Sequence, residues 1–323
     1  MHRSRNYQEL RMAELIETTK PARSNRWRLA ASDSRSRDTA IAWVIVLFVA
    51  IVTLFPFYWA VRTALSTQRD LLSDPASLLP VGFTWNSFRQ VLGMETAERA
   101  IAAGASARTF NFWRYLGNTV LVSAVVAIVQ ITFSAMAAYA FARLRFPLRN
   151  QIFMIFLAAM MVPGIVLLIP NFVLIYDLGW MNTYQGIIAP AFLMSPYAIF
   201  FLRQFFLGIN REIEEAAYLD GAGYFEVFWR LIVPVSQGPI ITLGIIVFIT
   251  QWNDYLWPFL VGRDESVRVL TVALSVFRSQ TPQGSPDWPG LMAGTILASL
   301  PIMAIFLLLG KRISRSLQFT GIK

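Results

Sequence analysis

Few residues in this 323-residue chain are of a type that performs covalent chemistry. It has no cysteine, and its single histidine, His2, lies in a polar N-terminal tail. Disulfides, thiolate catalysis and cysteine metal sites are excluded, and a histidine cluster has no members. An ATP site would need GxxxxGK[ST], whose amides cradle phosphate. The nearest string, LLLGKRIS around Gly310, Lys311 and Arg312, lacks the first glycine and the hydroxyl. No HExxH, GxSxG or spaced carboxylate set occurs within the apolar stretches. The expectation is a non-catalytic chain that binds no metal and no cofactor of its own. Charge and shape concentrate instead in EEAAYLDGAGYFEVFWRLIVP, Glu214 to Pro234, which holds five charged residues, Gly221 and Gly223, and an aromatic cluster.

The elements around that stretch are greasy. Hydrophobic residues make up 56% of the chain and charged residues only 15%, too few for the surface of a soluble protein of this size. Six stretches carry no charge: Thr39–Val61, Tyr115–Ala142, Asn150–Tyr176, Leu178–Leu202, Leu231–Asn253 and Trp288–Gly310. Each has room for the roughly 20 apolar residues that a helix needs to cross a bilayer. The short alternating segments of a membrane barrel are absent. The fold class expected is an all-α polytopic membrane protein with six transmembrane helices.

The net charge of +9 follows topology. Nine Lys/Arg and five acids precede the first helix. Arg143, Arg145 and Arg149 follow the second, and Lys311, Arg312 and Arg315 follow the sixth, whereas DLGWMNT after the third has no base. Short basic loops stay in the cytoplasm, so both termini are expected there, and a nucleic-acid partner is not. The layout expected is a cytoplasmic tail 1–38, a first helix 39–61, an external loop 62–114, a five-helix core 115–312 and a tail 313–323. QELRMAELI reads first as part of a mobile tail, with a short helix as the alternative, and AERAIAAGASART reads as a helix ended by Gly104. Seven prolines fall within the spans and are expected to curve helices or to act as hinges around a path: Pro56, Pro163, Pro170, Pro190, Pro196, Pro258 and Pro301. SAMAAYAFA (Ser134–Ala142) would let the second span approach a neighbour closely.

Within 210–234 the signals are those of a helix, an elbow and a second helix. Asn210 suits an N-cap, and Glu212, Glu214 and Glu215 suit the first turns, where the helix dipole favours carboxylates. Ile213, Ala216 and Ala217 define a narrow apolar face. Gly221 and Gly223 are expected to stop the helix in left-handed or tight conformations. Phe225, Phe228, Trp229 and Ile232 then repeat at helical spacing. Membrane-surface helices favour basic polar faces; this one is acidic, which favours a protein partner.

Glu215-Ala216-Ala217, three residues, Gly221, nine residues, then Leu231-x-Val233-Pro234 resembles the EAA signature of membrane subunits of binding-protein-dependent ABC importers. AAYAFARLRF, MVPGIVLLIP, DLGWMNT, FLRQFF and QWNDYLWPF narrow the resemblance to carbohydrate permeases of the maltose-system G-subunit type, over about two thirds of the chain. The resemblance implies a cytoplasmic coupling helix between helices four and five that docks on a separate ATPase. It makes Glu215, Ala216, Ala217 and Gly221 the docking residues. Glu214, Asp220, Ala222, Gly223, Phe225 and Phe228 complete the ATPase-coupling set, with Trp229 beside them. It also implies two ATP-binding subunits carrying ATP and Mg, a second homologous permease subunit, and an extracytoplasmic solute-binding protein. LQFTGIK is expected to reach the ATPase.

Polar groups in or bordering the spans are Gln130, Asn171, Arg203, Gln251, Asn253 and Asp254. Arg203 is expected to snorkel to water or to pair with an acid. Gln251, Asn253, Asp254 and Tyr255 mix amides with aromatics, as sugar sites do, and are candidates to line a pathway. The alternative function is an independent secondary transporter, which would need internal repeats and ionisable mid-membrane residues.

Overall fold

The computed structural model describes residues 26–94, 110–278 and 285–318. QELRMAELI and AERAIAAGASART, and all of LQFTGIK beyond Gln318, lie outside them. The chain divides into two compact units, Met1–Trp59 and Ala60–Lys323. Helix α1 (Arg26–Ala64) takes up the described part of the first and opens the second. It begins inside the segment expected to be a tail. Between Pro21 and Pro56 there is neither glycine nor proline, so nothing in the chain stops the helix before the apolar stretch.

The second unit continues with α2 (Gln68–Ser73), α3 (Asn86–Val91) and the 32-residue α4 (Phe112–Arg143). Then come α5 (Arg149–Ala159), a 3-10 turn Gly164–Leu167, α6 (Leu168–Asp177), α7 (Tyr184–Ile188) and α8 (Pro196–Leu207). The elbow region holds α9 (Arg211–Leu219), α10 (Tyr224–Val227), a π-helical turn Phe228–Ile232 and α11 (Val233–Val235). The chain closes with α12 (Gln237–Trp252), α13 (Leu256–Val261), α14 (Leu270–Leu274) and α15 (Trp288–Gln318).

Among the described residues, three helices are long and apolar enough to cross a membrane unbroken: Ile41–Ala64, Phe112–Arg143 and Trp288–Leu308. Three more candidate spans are bent pairs. Arg149–Ala159 and Gly164–Asp177 meet at 90°, Tyr184–Ala191 and Pro196–Leu207 at 46°, and Tyr224–Val235 and Gln237–Trp252 at 81°. The count of six holds when each pair is one span. Proline marks two breaks. Pro163 precedes the 3-10 turn, and Pro196 opens α8. At the second break α4 supplies partners for the freed backbone, as a membrane break requires. Gln130 Nε2 donates to Ala191 O at 2.7 Å, and Ser195 N donates to Ser134 Oγ at 3.0 Å. Pro56 and Pro301 sit inside unbroken helices.

Helix α4 is the spine of the second unit. Its small residues Ala135, Ala138 and Ala142 are buried against Ile199, Leu202 and Phe206 of α8, with Leu243 of α12 in the same cluster. The close approach expected for this alanine-rich face is present. Toward the start of α4 two further apolar clusters form. One joins Ala64, Val91, Phe112, Phe277 and Ala293, and the other joins Val122, Ile175, Ile187 and Val261. The C-terminal end of α4 delivers Tyr139 and Arg143 to the elbow.

Candidate functional site

Helix α9 starts where Asn210 accepts a hydrogen bond from Glu212 N at 3.1 Å, and it carries acids in its first turn as the macrodipole favours. It ends at Asp220, and Gly221 follows at φ +87°. Gly221 N donates to Tyr218 O at 3.1 Å and Ala222 N to Ala217 O at 3.0 Å, which closes the last turn. A side chain at Gly221 would meet nothing within 4 Å, so its requirement is backbone conformation alone. Gly223 differs from the expectation. Its φ of −80° and ψ of 163° are ordinary extended values, and it forms the N-cap of α10.

The two faces of α9 are assigned differently from the apolar pattern. Ile213 is 50% exposed and Ala216 is exposed, while Ala217 packs partly on the core. The face turned inward carries Glu214, buried at 4% exposure. Arg143 at the end of α4 is the reason. Its Nε donates to Glu214 Oε1 at 2.5 Å, and its Nη2 donates to Ile209 O at 2.8 Å. One guanidinium thus holds both the helix and the turn before it, which places the fork geometry of arginine where two acceptors converge. Beside it the Tyr139 and Tyr218 hydroxyls share a hydrogen bond of 2.9 Å. Burial raises the Tyr218 pKa above its ordinary value, so the hydroxyl stays protonated.

The second half of the elbow is also split. Val227, Phe228 and Ile232 are buried, and the Phe228 ring lies 5.4 Å from that of Tyr139. Phe225 and Trp229 are 67% and 40% exposed and pair edge to face at 6.1 Å. The single aromatic face expected from α-helical spacing does not form: Val227, Phe228 and Ile232 make the buried side, and the turn Phe228–Ile232 is π-helical. Outward-facing residues of the elbow include Ile213, Glu215, Ala216, Leu219, Asp220, Gly221, Tyr224 and Phe225, with Leu219 at 90% exposure and Ala222 half-buried. Arg143, Tyr139 and Tyr218 were read in sequence only as a topology charge or not at all. No local signal in the sequence marks the pair, because Glu214 is buried by an arginine 71 positions away.

The pathway candidates lie at the far end of α12. Gln251 is half-buried, and Asn253 is exposed with its Nδ2 on Ile249 O at 2.8 Å. Asp254 faces the N-terminus of α13. Burial raises its pKa, opposed by hydrogen bonds from the backbone N–H of Trp257, Leu256 and Tyr255. Tyr255 stacks on Phe259 at 5.3 Å, and the Arg263 guanidinium lies over Phe259 at 4.5 Å. Trp252 and Trp257 serve packing, donating to Ala298 O and to the carbonyls of Gly186 and Ile187. Arg203 pairs with no acid in the described residues. Its Nε donates to Phe141 O at 3.3 Å, and its guanidinium covers the Phe153 ring at 4.2 Å.

Residues 130–319, which include the elbow, match the family described as binding-protein-dependent transport system inner membrane component. The chain is 27% identical over 294 residues to the arabinooligosaccharides transport system permease protein AraQ of Halalkalibacterium halodurans, covering 90% of this chain and 99% of that protein. It is 30% identical over 275 residues to the sn-glycerol-3-phosphate transport system permease protein UgpE of Yersinia enterocolitica, covering 85% and 94%. A chain in the crystal structure of a bacterial ABC transporter involved in the import of the acidic polysaccharide alginate has the same fold. The TM-score is 0.70 at 20% identity, over 86% of this chain and 97% of that one.

Proposed function

The chain belongs to the family of binding-protein-dependent transport system inner membrane components, and on that premise we propose that it forms half of the translocation pathway of an ATP-driven importer for a sugar or sugar-like solute. It is a multi-pass membrane protein and a non-catalytic subunit of an ABC importer. The proposal adds the solute class, the partners and the residues that transmit force. The relatives named for arabinooligosaccharide and sn-glycerol-3-phosphate transport support a polar, polyhydroxylated solute.

In this reading both termini are cytoplasmic, and the elbow 210–234 stands on the cytoplasmic face. Of two ATP-binding subunits, which hold ATP and Mg, one grips the outward surface of α9. A second homologous permease subunit completes the pathway, and an extracytoplasmic solute-binding protein delivers the solute. The exposed Glu215, Ala216 and Gly221 meet the ATPase. A carboxylate offers a charge-assisted bond, alanine permits close approach, and the left-handed glycine sets the angle of the lever. Glu214 has the opposite duty: it ties the lever to α4. The observation that carries the proposal is this division of α9 into an exposed face bearing Glu215 and a face bolted through Glu214 to a spanning helix. ATPase closure would then move α4 and α8 as one body. Gln251, Asn253, Asp254 and Tyr255 lie at the other end of α12, where a solute would enter.

Copurification in mild detergent tests the assembly. An ATPase chain and a second membrane subunit are expected with this one, and a transport-competent homomer would refute the proposal. Uptake over a panel of labelled sugars, polyols and glycerol phosphates, with and without the chain, identifies the solute.

A further inference from the structure

Between Pro75 and Trp85 the chain reads PASLLPVGFTW, without a charge. Four large apolar side chains of this segment stand in the open: Leu78 at 65%, Leu79 at 71%, Phe83 at 63% and Trp85 at 55% exposure. Adjacent large apolar groups are seldom left facing water in this way.

Hydrogen bonds fix where the segment sits. Thr84 N donates to Leu65 O at 2.9 Å, and Thr67 N donates to Val81 O at 3.0 Å. Val81 N donates to Ser66 Oγ at 3.1 Å, whose hydroxyl in turn donates to Arg62 O at 2.8 Å. Residues 81–84 are thus paired with the residues that immediately follow the end of the span Ile41–Ala64. Gly82, at φ +62°, lies so close to Asp70 that a Cβ there would overlap its carboxylate, while Thr67 Oγ1 donates to Asp70 Oδ2 at 2.7 Å. The segment is pinned at the level where α1 leaves the membrane.

A second spanning helix marks the same level. Gln68 Nε2 donates to Pro286 O at 2.9 Å, and its Oε1 accepts from Trp288 N at 3.2 Å, at the first residue of α15. Trp288 is 42% exposed, and Trp113, in the first turn of α4, is 64% exposed. Tryptophans at span ends belong to the headgroup region, where an apolar ring with a polar edge is most stable.

We propose that Pro75–Trp85 is an interfacial anchor, with Leu78, Leu79, Phe83 and Trp85 inserted among the lipids of the leaflet at which α1 ends. The occupant is lipid because the uncharged segment is hydrogen-bonded to the residues that directly follow the span Ile41–Ala64, where the headgroups begin. Each apolar side chain removed from water contributes in the direction of membrane affinity, and the hydrogen bonds of Val81 and Thr84 hold the Phe83 end of the segment in place before insertion. The anchor would fix the depth of the chain just after that span, independently of the solute carried.

The natural absence of cysteine makes the test direct. Leu79→Cys and Phe83→Cys variants, each spin-labelled, are placed with their copurified partners in nanodiscs of phosphatidylcholine and phosphatidylglycerol. Ser73→Cys on the exposed side of α2 serves as the water reference, and Phe306→Cys on α15, where Phe306 is 62% exposed, as the lipid reference. The ratio of collision with oxygen to collision with a water-soluble nickel chelate is measured. A ratio at both sites several-fold above that of the Ser73 label is expected. A ratio equal to the Ser73 label would overturn the anchor. Loss of collision with both reagents would also overturn it, assigning the patch to a protein partner instead.

Discussion

Arg143 and Glu214 stand 71 positions apart in the chain, yet their side chains meet at 2.5 Å with each only 5% exposed. The pair joins the last turn of a spanning helix to the inward face of α9. Charges buried this deeply must be paired, since a lone charge left in such a site is costly.

Removal of either partner should therefore be felt twice. Arg143→Ala or Glu214→Ala leaves an uncompensated buried charge, with an expected loss of about 3–5 kcal/mol. Glu214→Gln keeps an acceptor and should lose less. In the assembled transporter, solute-dependent stimulation of ATPase should fall further than basal ATPase in Glu214→Gln. Equal loss of both rates would mean that the pair serves stability alone.

Tyr139 and Tyr218 share a hydrogen bond of 2.9 Å one turn from that ion pair. Tyr218→Phe removes the hydroxyl and takes away the hydrogen-bond partner of the buried Tyr139. The expected cost is about 0.5–1.5 kcal/mol, read as a shift in thermal unfolding of the detergent-solubilised complex. Adding Tyr139→Phe should recover part of it, because no hydroxyl is then left without a partner.

The two elbow glycines should respond in opposite ways. At Gly221, φ +87° costs an L-residue about 1–2 kcal/mol, more when branched at Cβ. Gly221→Val should insert in the membrane normally but lose the link between ATP hydrolysis and uptake, while Gly221→Asn should retain much of it. Gly223→Ala should be silent, since its φ is −80° and nothing lies within 4 Å of the added Cβ. Uptake by Gly221→Val at the parent rate would remove the elbow from the mechanism.

Asp254 sets a pH dependence of unusual sign. Its folded-state pKa is raised because burial outweighs three backbone hydrogen bonds. The folded state then holds its proton more tightly than the unfolded chain does. This group's contribution to stability is greatest below the ordinary carboxylate range and declines as pH rises through the raised pKa. Asp254→Asn should flatten that part of the stability profile, measured by thermal unfolding across a pH series. A decline of unchanged size in the variant would assign it to another group.

Much of the elbow was legible in local sequence. Asn210 before an acid-rich turn, and Gly221 after Leu219, define a helix start and stop through interactions within a few residues. The faces of that helix were not legible. Ile213, Ala216 and Ala217 form the apolar stripe by spacing, but the side turned inward is the one with Glu214, because the deciding cation arrives from α4. The same holds for the aromatic run: Phe228 is buried against Tyr139 of α4 while Phe225 and Trp229 face outward, and helical spacing cannot announce the π-helical turn Phe228–Ile232.

The sequence by itself determined the membrane class, the candidate spans and the place of the elbow. Those follow from runs of uncharged residues long enough for a bilayer and from caps whose hydrogen bonds are local. Tertiary structure alone decided which spans are broken and which charge is buried. A break at Ser195 is stable because Ser134 and Gln130 of α4 accept and donate the missing bonds, and Glu214 is buried because Arg143 waits at the end of the same helix. Both outcomes depend on partners more than sixty residues away, and only packing brings those within reach.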